Sequence, residues 1–181
     1  MPHYMIDIET TGTRPDRAAI LQIAAVRFDP VARTIDHDGL FNMCLRMPGW
    51  RFWDDDTRTW WQAQNQDVFQ RILFNAQDPR AVTHAFLHWV NADHAKIDDR
   101  YFWAKNAAFD FMFLASYGTD YDTGMPFSYR NVNDMKAFIR GRCFPEDIPV
   151  IDQAPTDQAH DAIVDCIMQI DWLFKALDAT P

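Results

Sequence analysis

Two apolar runs near the start of the chain constrain the fold more than any other feature. Residues 4–9 and 20–29 consist mostly of Ile, Ala, Val and aromatic side chains. Runs of this length and composition predict buried β-strands. A turn containing Pro30 follows, and residues 34–45 predict the returning strand of a hairpin. The chain is therefore predicted to build the centre of a sheet first.

The rest of the chain alternates between helical and strand patterns. Apolar residues at helical spacing predict helical segments at residues 53–74, 78–91, 109–117, 133–140 and 161–177. Short strands are predicted at residues 100–104 and before residue 131, and prolines predict a long loop at Pro145, Pro149 and Pro155. This order predicts an α/β fold with a mixed five-stranded sheet flanked by helices, in one domain over residues 1–181.

Charge and cysteine content exclude several classes of protein. The chain has 26 acidic and 17 basic side chains and a formal charge of -9, which argues against coating of duplex DNA or of an anionic membrane. Three cysteines without a CxxC pair argue against a disulfide scaffold and favour the cytoplasm. No signal peptide and no membrane span are predicted.

The first strand ends in two carboxylates that face the same way. Asp7 and Glu9 are two residues apart, and such residues lie on one face of a strand. They fall near the carboxyl end of the strand, where α/β sheets usually bind ligands. Bringing paired carboxylates together is costly unless a positive charge lies between them. Alone, the pair is also compatible with two solvated acids.

Two later segments supply further candidates. Asp110 opens a predicted helix behind Asn106 and Phe109, and His160 precedes Asp165 by five residues at the start of the last helix. Taken singly, each is an ordinary capped helix start.

Together these residues resemble the DEDDh 3′–5′ exonucleases of the ribonuclease H-like superfamily. Residues 7–12, Asp-Ile-Glu-Thr-Thr-Gly, match the first family motif, and His160 with Asp165 match the third. Residues 105–110 match the second, His-Asn-x-x-Phe-Asp, except that Lys105 stands at its histidine. The sequence of residues 54–65 is also similar to the Thr-x-x-Trp-Trp segment of a small branch containing a mycobacterial exoribonuclease and phage exonuclease A.

The resemblance implies two Mg²⁺ or Mn²⁺ ions between the acids. Asp7 would bridge the ions, Glu9 and Asp165 would hold one side, and Asp110 would complete the set. Two hard cations can stabilise the attacking and the leaving oxygen of a phosphodiester. His160 would take the proton from the attacking water. The product would be a nucleoside 5′-monophosphate.

The implied partner is the 3′ end of DNA or RNA, as a single strand or an overhang. Thr10 is a candidate for binding near the terminal 3′-hydroxyl, as in the family, and Asn106 is counted with it as substrate-binding. Phe109 and Trp61 are candidates for stacking on bases, although core packing is an equal interpretation for Phe109 and is favoured for Trp61. Several relatives are dimers, so a homodimer is also considered.

Two other functions fit part of the pattern. Phosphoaspartate phosphatases also begin with an apolar strand and Asp-x-Asp-x-Thr, but Glu9 and the pair of His160 and Asp165 argue against them. A non-catalytic nucleic-acid-binding module on the same fold is the second alternative. His84 and His88 have metal-ligand spacing on a helix, but no Glu lies between them as in a zinc protease.

Overall fold

The computed structural model describes residues 1–143 and 159–178. Its strands are β1 His3–Thr10, β2 Ile20–Asp29, β3 Thr34–Ile35, β4 Phe41–Cys44, β5 Tyr101–Ala104 and β6 Val132–Asp134. Its α-helices are α1 Asp55–Gln62, α2 Gln66–Phe74, α3 Pro79–Asn91, α4 Ala107–Asp120, α5 Met135–Cys143 and α6 Ala162–Asp178. Short 3₁₀ turns cover Ile97–Asp99 and Tyr129–Asn131.

The sheet is mixed and has β1 at its centre. The strand order is β3-β2-β1-β5-β6, and β4 also pairs with β2. β1 is antiparallel to β2 but parallel to β5, and β5 is parallel to β6. Since β1 and β5 are parallel, their carboxyl ends lie at the same edge of the sheet.

The sheet has six strands, so the predicted number of five is wrong. Residues 34–45 do not form one continuous strand, because a turn divides them into β3 and β4. In that turn the backbone N–H of Gly39 donates to the carboxylate of Asp36 at 3.0 Å. Asp and Gly are common turn residues, and the apolar pattern alone did not reveal the break.

The two faces of β1 pack against different helices. Tyr4, Ile6 and Ile8 are buried in a core that includes side chains of α3 and α4. Met5 lies on the opposite face, in a second core with Cys166 of α6. Because alternate residues share a face, Asp7 and Glu9 lie on the side of the sheet covered by α6.

Helix boundaries differ from the predictions where polar caps or strand pairing intervene. Residues 53–74 form two helices, since Asn65 caps α2 by accepting a hydrogen bond from the N–H of Asp67 at 2.9 Å. α5 begins at Met135 rather than residue 133, because residues 132–134 pair with β5. The loop predicted at Pro145, Pro149 and Pro155 lies outside the described residues. Across residues 1–143 and 159–178, no helix has the length and apolar character to cross a membrane.

Two glycines in helices provide a test of this packing. Gly118 is buried in α4, and a Cβ there would collide with the carbonyl oxygen of Gly124. Gly118→Ala is expected to lower the free energy of unfolding by about 1–3 kcal/mol, the usual cost of overpacking. Gly141 is exposed in α5 with open space around it, so Gly141→Ala is expected to be neutral or stabilising. Urea denaturation of both variants measures the difference, and equal effects would contradict this packing.

Candidate active site

A cavity of about 170 Å³ lies at the carboxyl end of β1. Its walls come from β1, from the segment that joins β5 to α4, from the turn before α6 and from α6 itself. It is lined by all five residues predicted for metal binding and catalysis: Asp7, Glu9, Asp110, His160 and Asp165. The three separate motifs therefore meet in one place.

Three structural elements place the four acids. Asp7 and Glu9 project from β1 toward α6, whereas Asp110 and Asp165 lie in the first turns of α4 and α6. The start of α4 is anchored to β6, because the N–H of Ala107 donates to the carboxylate of Asp134 at 3.0 Å. Glu9, Asp110 and Asp165 are buried, and Asp7 is partly buried.

Crowding and burial disfavour the charged forms of these acids. Burial, followed by the nearby charge of Asp165, raises the pKa of Asp7 to about 8. Burial is also the largest cause that raises the pKa of Glu9 and of Asp110 well above the usual range, and the charge of Asp7 adds to both. A cation bound among the carboxylates would lower their pKa values and favour the charged forms.

The donor set fits a hard divalent cation. Glu9, His160 and Asp165 each place one potential ligand atom within 4.8 Å of the others. Carboxylate oxygens are the ligands that Mg²⁺ and Mn²⁺ prefer. Close, buried acids are costly without a positive charge, so the site has the chemistry of a metal centre.

Gln169 supports Asp7 and was missed by the sequence analysis. It is 2% exposed, and its side-chain N–H donates to the carboxylate of Asp7 at 2.7 Å. Gln169 follows Asp165 by four residues in α6, so the two side chains lie on the same face of that helix. This spacing was the one signal in the sequence that could have placed Gln169 beside the site.

His160 has an unusual backbone and an aromatic neighbour. Its φ of 66° lies in the left-handed region, which is uncommon for residues other than glycine. The indole of Trp60 meets the imidazole edge-on, with ring centroids 4.5 Å apart. Burial, and then the charge of Lys105, lowers the pKa of His160 and so favours a neutral imidazole.

A buried carboxylate next to His160 holds the start of α6. Asp161 accepts a hydrogen bond from the side chain of Gln22 at 2.8 Å and forms an ion pair with Arg71 at 2.6 Å. Gln22 in turn accepts from the N–H of Ala162 at 3.2 Å. These contacts join β2 and α2 to the turn that carries His160. They link residues far apart in the sequence, so no local pattern predicts them.

The four residues predicted to bind substrate have different environments. Asn106 and Phe109 line the cavity, and the ring of Phe109 also packs on Phe113 with centroids 4.8 Å apart. Thr10 is buried, and its hydroxyl donates to the carbonyl of Gly12 at 2.8 Å.

Trp61 packs in the core, which was the favoured interpretation, and its alternative role in stacking on bases is wrong. It is 1% exposed, and its indole N–H donates to the carbonyl of Thr10 at 3.0 Å. Trp61 therefore supports the end of β1 from within the core and has no free face for a base. Its neighbour Trp60 is 41% exposed and lies nearer to His160, with ring centroids 4.5 Å apart compared with 6.3 Å for Trp61.

Comparison with known proteins agrees with this arrangement. A family model described as the 3′–5′ exoribonuclease Rv2179c-like domain matches residues 2–177. A comparison with curated protein sequences found no match.

Solved nucleases share the fold at low sequence identity. The zinc-bound complex of E. coli exonuclease I with single-stranded DNA is 14% identical with a TM-score of 0.69, over 94% of this chain and 39% of that one. Cell-death related nuclease 4 (CRN-4) is 18% identical with a TM-score of 0.69, over 96% of this chain and 62% of that one. This chain thus spans less than two thirds of either neighbour. The likeness confirms the predicted ribonuclease H-like α/β fold.

The raised pKa of Asp7 predicts how metal-free stability depends on pH. An acid with a higher pKa in the folded chain stabilises the fold below its unfolded pKa of about 3.9. That contribution is lost as pH rises through the folded pKa of about 8. Asp7→Asn keeps an acceptor for Gln169 but removes the charge, so we expect it to raise the melting temperature of the metal-free protein at pH 9.

Thermal unfolding in chelator from pH 5 to pH 9 measures this effect. Each kcal/mol corresponds to about 2–4 °C in a domain of this size. Asp171→Asn is the control, because Asp171 is exposed on α6. An increase in melting temperature that is the same at pH 5 and pH 9, or that Asp171→Asn also produces, would contradict the raised pKa of Asp7.

Proposed function

We propose a function that starts from the family of this chain. The chain belongs to the family of the Rv2179c-like 3′–5′ exoribonuclease domain, whose model matches residues 2–177. The chain is a metal-dependent 3′–5′ exonuclease. It hydrolyses the last phosphodiester bond of a single-stranded or 3′-overhanging nucleic acid and releases nucleoside 5′-monophosphates. The observation that carries this proposal is the meeting of four acids and His160 in one cavity.

The acids would hold the metal. Asp7, Glu9, Asp110 and Asp165 are the proposed ligands of two Mg²⁺ or Mn²⁺ ions. When bound, such ions polarise the phosphate and stabilise negative charge on the attacking and leaving oxygens. Gln169 keeps the carboxylate of Asp7 in place through its hydrogen bond.

His160 would act as the general base. Its lowered pKa leaves the imidazole neutral near pH 7, so it can accept a proton from the attacking water. The new bond joins the water oxygen to phosphorus. The bond from phosphorus to the 3′ oxygen of the penultimate nucleotide breaks, and that oxygen takes a proton from solvent, so the shortened strand leaves with a 3′-hydroxyl. His160 returns its proton to solvent.

Aromatic side chains would hold the terminal base. Trp60 is exposed beside His160, and Phe109 lines the cavity at the start of α4. Stacking on an aromatic ring contributes about 1–3 kcal/mol per base and requires no particular sequence. Asn106 and Thr10 are proposed to complete the binding of the terminal nucleotide.

The substrate is proposed to be a free 3′ end rather than a long duplex. The formal charge of -9 disfavours extended contact with phosphates. The family description names an exoribonuclease, whereas exonuclease I was solved with single-stranded DNA. A cytoplasmic location is also proposed, and the free, buried thiols of Cys44 and Cys166 support it.

Digestion of matched RNA and DNA oligomers tests the activity. With Mn²⁺, a 3′ label is expected to appear at once as a mononucleotide, whereas a 5′ label gives progressively shorter strands. Chelator should abolish both. His160→Ala is expected to lower the turnover number by about 100-fold or more, since general bases contribute that much.

Asp171→Asn, an exposed acid on the helix that carries Asp165, should retain full activity. Release of inorganic phosphate instead of mononucleotides would favour a phosphatase. Full retention of turnover by Asp7→Asn, or no hydrolysis of any oligomer with Mn²⁺ or Mg²⁺, would contradict the proposal.

A further inference from the structure

Lys105 is a cation in the wall of the acidic cavity. It directly follows β5 and lines the cavity together with Asp7 and His160. The corresponding position of the DEDDh motif is a histidine, so this chain has an ammonium group where the motif has an imidazole.

The ammonium group of Lys105 is held by an aromatic ring. It lies 5.4 Å from the ring centroid of Trp172, a residue of α6, which is a cation–π contact. Among residues 1–143 and 159–178, the ion pairs include none between Lys105 and Asp7, Glu9 or Asp110. The lysine therefore lies in the same cavity as these three acids without a direct ion pair to them.

The charge of Lys105 nevertheless reaches the reacting groups. It opposes the rise in the pKa of Asp7 and contributes to the lowered pKa of His160. Both of these residues line the same cavity as Lys105. Lysine is a flexible point charge that commonly binds phosphate, and its long stem allows the ammonium to leave the ring of Trp172 for a nearby anion.

The charges of the site indicate that the anion bound by Lys105 is a phosphate of the substrate. With two divalent ions, the four carboxylates of the site are neutralised. A bound phosphodiester then adds one negative charge, and Lys105 supplies the matching positive one. This step rests on the proposed function.

We propose that Lys105 binds a non-bridging oxygen of the scissile phosphate, and keeps that contact after hydrolysis with the 5′-phosphate of the released nucleotide. The lysine thus contributes to recognition of the phosphate and not of the base or sugar. Removing its charge should weaken binding of nucleotides but leave binding of nucleosides unchanged.

Calorimetric titration of the Mg²⁺-loaded protein tests this directly. Each of the four nucleoside 5′-monophosphates is compared with its parent nucleoside, for the native chain and for Lys105→Met. We expect Lys105→Met to lose at least about 10-fold in affinity for monophosphates, equal to about 1.4 kcal/mol, with nucleoside affinity unchanged. Lys105→Arg should retain most of the monophosphate affinity.

Lys96→Met is the matched control. It removes the same charge from an exposed residue that precedes β5, at the opposite end of that strand from the cavity. It should bind monophosphates like the native chain. If Lys105→Met does not fold, Lys105→Gln replaces it in every comparison.

The outcomes separate this inference from the proposed function. Unchanged monophosphate affinity in Lys105→Met, or an equal loss for nucleosides, overturns the role of Lys105 while oligomer hydrolysis by the native chain still stands. A loss of Mg²⁺ affinity that accounts for the whole defect also overturns it. Absence of hydrolysis by the native chain removes the proposed function, and this inference with it.

Discussion

The repulsion among four carboxylates in one cavity is the constraint on which the rest of this structure depends. Asp7, Glu9, Asp110 and Asp165 come from three elements, and three of the four are buried. Burial and mutual repulsion raise the pKa of Asp7, Glu9 and Asp110, so the metal-free site disfavours its own ionised form. The apolar cores on both faces of the sheet must offset this cost.

The fold brings the acids together through simple geometric rules. Alternation along β1 places Asp7 and Glu9 on the face that α6 covers, and the parallel pairing of β5 delivers the start of α4 to the same edge. Around this cluster, polar side chains fix the remaining groups. Gln169 holds Asp7, and the contacts of Asp161 with Gln22 and Arg71 secure the turn that carries His160. The contacts of Asp161 fix the residue that follows His160, whose φ of 66° lies in the left-handed region.

The sequence was sufficient for the parts of the fold that depend on local pattern. The strands at residues 4–9 and 20–29 and the α/β order follow from apolar periodicity, and the three motifs indicated which residues would meet. The sequence was insufficient where contacts between distant residues determine the structure. The turn between β3 and β4 was missed although Asp36 and Gly39 are common turn residues, because the apolar pattern of residues 34–45 was weighted above them. The roles of Gln22 and Arg71 depend on distant contacts. Trp60 and Trp61 are adjacent, and the packing of α1 decides which one is buried.

Counting bound Mn²⁺ by electron paramagnetic resonance tests the central claim most directly. Free Mn²⁺ gives a strong signal that diminishes on binding, so a titration of the native chain at pH 8 reports stoichiometry and affinity together. The account predicts two ions per chain, with at least one lost when Asp165→Asn removes a proposed ligand. Native protein that binds no Mn²⁺ at millimolar concentration, or a variant with unchanged stoichiometry and affinity, would contradict it.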